Sequence, residues 1–203
     1  AVSLVSKQGN FLESKVFYCH ELEYVRSNKR NNIVGETVKN VFTWLLTKNV
    51  GAIVIENIKL NQQHDTNRKF NRLVNSFKKK KLTESIIRRG LRNGFQIKKI
   101  NPAYTSVIGR FKYSTTYGLS VHEAASFVIA RRGLGYEEKM PKALIQALRN
   151  KVKPQLIAKL GSMEETEKQS TQGKKQRQYL GLLLRNINNF KDIHSWSFWN
   201  VVH

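Results

Sequence analysis

Ala52-Ile53-Val54-Ile55-Glu56 sets four apolar residues, three of them β-branched, directly ahead of a carboxylate. Its length and branching favour a buried strand over a turn of helix. A carboxylate at that point sits on the carboxyl edge of a sheet, where ligands bind in open α/β folds. Held there, it can take Mg²⁺, which prefers a few oxygen ligands completed by water and phosphate. Two such ions can activate a water and stabilise the leaving oxygen in phosphodiester cleavage. The competing reading is an ordinary strand-end glutamate paired with one of the many lysines, and spacing alone does not separate the two.

Working outward, residues 1–5 alternate weakly and meet the turn signal Lys7-Gln8-Gly9-Asn10. Residues 11–19 follow, so 1–19 reads as a β-hairpin. Residues 26–32 read as a basic loop. Residues 33–48 form a helix whose apolar face is Val34, Val38, Val41, Phe42, Leu45 and Leu46. Residues 66–93 form a long basic helix, with a possible break near Lys81. Its stripe is Phe70, Leu73, Val74 and Phe77, continued by Ile86, Ile87 and Leu91. Residues 95–100 give a second strand. A loop then runs to Gly118, ahead of a helix over 120–132.

The expected organisation is a domain over 1–140, a helical extension over 141–161, a flexible linker over 162–178 and an apolar segment over 179–203. Within the extension, 141–152 forms a short helix. The linker has almost no apolar residue. Trp196, Phe198 and Trp199 are expected to dock the tail onto a core rather than to stack on bases.

The 203 residues carry 36 Lys and Arg against 14 Asp and Glu, a formal net charge of +22. Such a surplus repels itself unless an anionic partner screens it, and nucleic acid leads the partners. No long apolar span or lipidation motif favours a membrane. Cys19 is the single cysteine, which excludes an intrachain disulfide and a multi-cysteine zinc site and suits a reducing cytosol. The chain opens on Ala1 inside a strand, without an initiator Met, as a fragment would.

Between Arg68 and Arg92 lie ten cations and one acid, Glu84. Arg68, Lys69, Arg72, Lys78, Lys79, Lys80, Lys81, Arg88, Arg89 and Arg92 are therefore the expected nucleic-acid contacts, extended by Lys98, Lys99, Arg110 and Lys112. They would neutralise phosphates, with strong salt dependence and no base specificity. The bland alternative is a solvated basic face.

A metal site needs a second acid. Asp65 reads as a cap for the helix starting at Thr66. Glu123, beside His122, opens the helix before Arg131-Arg132, where it either shares the Glu56 edge or complements the helix dipole. His122 at a helix start is more often a surface histidine than a ligand.

The run 52–60, AIVIENIKL, resembles the second RuvC motif of TnpB-type proteins of bacterial insertion sequences, relatives of the type V CRISPR effector nucleases. Asn101-Pro102-Ala103-Tyr104-Thr105-Ser106 is similar to the segment before that family's zinc ribbon. Residues 117–125, YGLSVHEAA, followed by FVIARR at 127–132, look like its third-motif helix in a cysteine-free branch. Residues 1–9 look like its second strand. The resemblance covers roughly residues 1–140.

It implies an α/β, RNase H-like (RuvC-type) mixed sheet with flanking helices, whose first strand is missing from this chain. It implies a guide-RNA-directed, Mg²⁺- or Mn²⁺-dependent DNA endonuclease of the bacterial cytoplasm, with DNA and guide RNA as partners and no membrane. The family's second carboxylate carries over to Glu56, as catalytic residue and metal ligand. Its first would precede this chain. Its third falls at Val121, for which His122 or Glu123 would have to substitute. Thr105-Ser106-Val107-Ile108-Gly109 lacks the ribbon cysteines, so no zinc is expected. Without the first strand the hairpin and the 52–56 strand lose the neighbour between them, so a rearranged sheet and an inactive fragment are expected. A non-catalytic binding remnant and an RNA-binding structural protein of ribosomal type stand as alternatives.

Overall fold

The computed structural model describes residues 1–19, 25, 27–58, 68–163, 170–189 and 196. The chain divides into two compact units, Ala1–Glu137 and Glu138–His203.

In the first unit, β1 (Val2–Val5) and β2 (Phe11–Lys15) pair antiparallel, with Ser3 opposite Ser14 and Leu4 opposite Glu13. Gly9 takes φ 76° in the turn, and its N–H donates to the Ser6 carbonyl. Helix α1 (Ser27–Leu46) begins earlier than expected, so most of the basic stretch 26–32 is helical rather than loop. Its buried face is Val34, Val38, Val41, Phe42 and Leu45, while Leu46 is exposed.

Strand β3 (Ala52–Glu56) pairs parallel with β4 (Gln96–Ile100), Glu56 opposite Ile100. Parallel neighbours need a long crossover. Helix α2 (Arg68–Arg92) belongs to that crossover and runs without a break at Lys81. Leu82 and Ile86 pack on the α1 core. Gly90 takes the inward position against Ile97, Ile53 and Phe42, which turns Leu91 to solvent instead of extending the stripe.

Residues 105–117, expected as loop, are helical: α3 (Thr105–Gly109), a π-helical turn (Arg110–Ser114) and α4 (Thr115–Tyr117). The Tyr113 and Tyr117 rings pack edge-on against buried Phe127. A π turn breaks the 3.6-residue period, so periodicity carries no trace of this run. Helix α5 (Val121–Gly133) follows, with Ser120 as its N-cap.

The unit is mixed α/β and layered. Val2 and Leu4 of β1, with Ile53 of β3 and Ile97 of β4, join one core with α1. Alternate residues face α5: Ser3 donates to the Glu123 carbonyl and bonds the Ser126 hydroxyl, while Val54 lies against Gly133. Helices α1 and α5 therefore each touch the hairpin and the parallel pair. The described strands nevertheless form two separate two-stranded sheets rather than one.

In the second unit, α6 (Lys142–Gly161) and α7 (Thr171–Asn189) pack through Ile145, Val152 and Leu156 and through Leu180, Leu183 and Ile187. Helix α6 runs well past 152. Residues 171–178, expected as linker, are the first turns of α7, because the apolar stripe of that helix begins only at Leu180. Trp196 is buried and its indole N–H donates to the Glu138 carbonyl. Phe198 and Trp199 lie outside the described residues. Among those described, no helix is long and apolar enough to cross a membrane.

Candidate functional site

Pairing of β3 with β4 places Glu56 at the carboxyl edge of a parallel pair, and the Asn57 N–H extends the ladder to the Ile100 carbonyl at 2.7 Å. Thr105, 3% exposed, donates its hydroxyl to the Pro102 carbonyl at 3.1 Å and lies 3.4 Å from Glu56 Oε1. A hydroxyl has one proton, so only one of these bonds forms at a time. Asn57, Lys99, Ile100, Asn101 and Pro102 line a recess of about 390 Å³ at this edge. Ion pairs among the described residues join Lys39 to Glu36, Lys48 to Glu13 and Arg88 to Glu84, and none involves half-buried Glu56. The lysine-paired reading of Glu56 thus finds no partner among them.

Glu123 is committed elsewhere. Its Oε2 accepts the Ser120 hydroxyl at 2.6 Å and the Ser120 N–H at 3.1 Å, closing a capping box, and its Oε1 accepts the Ser14 hydroxyl at 2.8 Å. The Ser120 hydroxyl first, and then that of Ser14, hold its carboxyl below the ordinary carboxylate value. His122 is exposed in the same turn. Among the described residues no three His, Cys, Asp or Glu side chains gather into a metal-binding group. Glu56, His122 and Glu123 are thus not brought together. Among the described residues, Glu56 is the carboxylate that would hold the Mg²⁺ or Mn²⁺ that the resemblance implies. Asp65 lies outside the described residues.

Along α2, Arg68, Lys69, Arg72, Lys78 and Lys79 belong to the helix, but their side chains lie outside the described part, as do those of Phe70, Leu73, Val74 and Phe77. Lys80 is exposed. Lys81 is half-buried and donates to Asn31 of α1, so it fastens two helices. Arg88 stands 76% exposed, 4.0 Å from Glu84, a separation at which a surface pair is worth little. Arg89 and Arg92 are exposed in the last turn, where cations complement the helix dipole. Lys98 donates to the Gly133 carbonyl at 2.6 Å, Lys112 stacks on Tyr113, and Arg110 is exposed.

Sequence reasoning missed Thr105, Ser14 and Arg131. Ser14 and Thr105 act through partners 109 and 49 residues away, which no local pattern encodes. The Arg131 guanidinium lies over Tyr136, Phe127 and Tyr113 and donates to the Gly9 carbonyl, locking the hairpin turn onto α5. Compared with known proteins, the chain finds no matching family model, curated protein or solved structure.

Proposed function

We propose that the first unit is a nucleic-acid-binding domain of the RNase H-like, RuvC type found in TnpB-type, RNA-guided DNA endonucleases. In this reading Glu56 marks the edge along which a phosphodiester lies, and the cations of α2 hold the phosphate backbone. The observation that carries it is a half-buried carboxylate at the carboxyl edge of a parallel pair, without a cationic partner among the described residues of a chain with net charge +22. A cation arriving with a ligand would pair with that carboxylate.

The split sheet supports the same reading. The hairpin and the parallel pair are covered on both faces by the same helices, α1 and α5, although they share no hydrogen-bonded edge. One further central strand between β1 and β3 would join all four into a single mixed sheet, with metal-dependent phosphodiester hydrolysis as the activity of the completed domain. The second reading, a binding remnant that does not cleave, is favoured by Glu123, which serves its helix cap rather than Glu56.

Cleavage of DNA with Mg²⁺ or Mn²⁺ tests the proposal. It is assayed on this chain and on a form carrying a RuvC-type first strand, with its acid, ahead of Ala1, each with and without Glu56→Gln and with transposon-end RNA present. Cleavage by the strand-bearing form alone, lost on Glu56→Gln, is expected. Salt-sensitive binding without cleavage by any form leaves the remnant reading and overturns the catalytic one.

A further inference from the structure

Tyr117 and Tyr136 are left 44% and 37% exposed on the first unit, and a continuous bed of rings and cations connects them. The Tyr117 ring lies 5.2 Å from that of Phe11 in β2 and 6.2 Å from that of Tyr113 in the π turn. The Arg131 guanidinium lies 5.8 Å from the centroid of Tyr113 and 4.5 Å from that of Tyr136. Phe127, 1% exposed, packs against Tyr113, Tyr117 and Arg131 from within. The surface is thus assembled from the hairpin, the π turn with α4, and the end of α5, so no single helix face supplies it.

The rings are held in place before any ligand arrives. Arg131 is committed to the Gly9 carbonyl and acts as a support for the rings around it. Gly9 is buried, and a Cβ there would run into the Tyr136 ring, so the hairpin turn backs that ring closely. Arg131 covers one face of Tyr136, and the part that remains accessible is what a ligand meets. Side chains fixed in this way have little rotamer freedom left to lose on binding. Two further cations border the bed. Lys7 is exposed in the hairpin turn, two residues from Gly9, and Arg110 is exposed at the head of the π turn, three residues before Tyr113. Neither takes part in an ion pair among the described residues.

Lys7 and Arg110, in a chain of net charge +22, select an anion. The exposed rings between them select an anion that also carries flat π faces. Unpaired nucleic acid has both, whereas a duplex keeps its base faces inside the stack. We propose that this surface is a platform for single-stranded nucleic acid, with bases stacked on Tyr117 and Tyr136 and adjoining phosphates neutralised by Lys7 and Arg110. Stacking uses base faces rather than edges, so the strand is bound with little regard to sequence or sugar. The platform uses neither Glu56 nor α2. It extends the nucleic-acid reading above to an unpaired strand and does not rest on the catalytic part of it.

The test is binding of the full chain to short oligo(dT), oligo(U) and a mixed-sequence DNA duplex, followed by fluorescence anisotropy over a range of salt. Tyr117→Leu and Tyr136→Leu, which keep apolar bulk and remove the π face, are each expected to weaken binding of both single strands about 10-fold. Tyr117→Phe and Tyr136→Phe keep the ring and are expected to stay within about 2-fold of wild type. Stacking is not a charge contact, so the Leu variants should leave the salt slope unchanged. Lys7→Gln with Arg110→Gln should flatten it by about 1.4 on single strands. Leu variants that bind single strands like wild type overturn the proposal. So does an equal loss in the Phe variants, an equal loss on the duplex, or a loss confined to one of the two sugars. A chain that binds the duplex alone overturns this platform and leaves the function proposed above standing, while a chain that binds neither strand nor duplex overturns both.

Discussion

Replacing Glu123 separates a structural carboxylate from a catalytic one. Its carboxylate holds the first turn of α5 through the Ser120 N–H and hydroxyl, and ties that turn to the hairpin through Ser14, 109 residues away. Loss of an N-cap interaction costs about 1 kcal/mol, and hydrogen bonds to a charged group contribute about 1.5–3 kcal/mol when fully formed. Glu123 is only partly buried, so the lower ends apply and Glu123→Ala should destabilise the chain by about 2 kcal/mol. At roughly 2–4 °C per kcal/mol for a chain of this size, the melting temperature falls by about 4–8 °C. Glu123→Gln keeps the box geometry and loses less.

The pH dependence has a definite sign. Because the folded carboxyl titrates below its ordinary value, its contribution is complete above the unfolded pKa and is lost as pH falls through the folded one. The urea midpoints of the wild type and Glu123→Gln should therefore differ at neutral pH and converge in acid, below the ordinary carboxylate range. A Glu123→Ala chain as stable as wild type at neutral pH, or a gap that widens in acid, would refute the capping argument.

Gly133→Ala should destabilise the first unit by about 1–3 kcal/mol, since the added Cβ would clash with Val54 Cγ2, read as a lower thermal midpoint. Glu56→Gln should change the unfolding free energy in urea by no more than about 0.5 kcal/mol, because among the described residues it loses no ion pair; a large destabilisation would make Glu56 structural. Converting Arg88, Arg89 and Arg92 together to Gln should reduce the salt slope of DNA binding by about 2.7, and an unchanged slope removes that end of α2 from the interface. An apolar strand joined ahead of Ala1 through a tight turn should slow amide exchange in both β1 and β3, whereas slowing in β1 alone would mean that it only lengthens the hairpin.

Local chemistry was enough to place the strand ending in Glu56, the hairpin turn at Gly9, the apolar face of α1 and the helix behind Ser120. Each depends on neighbours within a few residues: β-branching, a glycine in the turn, a 3.6-residue stripe, a serine three places before a glutamate. The charge of +22 likewise follows from composition and already points to a polyanion. Tertiary structure decided what those residues do. Glu123 caps α5 locally through Ser120 but also holds the hairpin because packing brings Ser14 to it, and Leu91 is exposed because Gly90 is the residue that fits against Ile97 and Phe42. The helical run 105–117 is held by Phe127 rather than by its own periodicity, and the polar stretch 171–178 is helical because it leads into a stripe that packs on α6. A pattern in sequence reports which residues would be buried together. Which partner arrives from a hundred residues away is settled by the packing of whole elements, and that is where the roles of Glu56 and Glu123 separate.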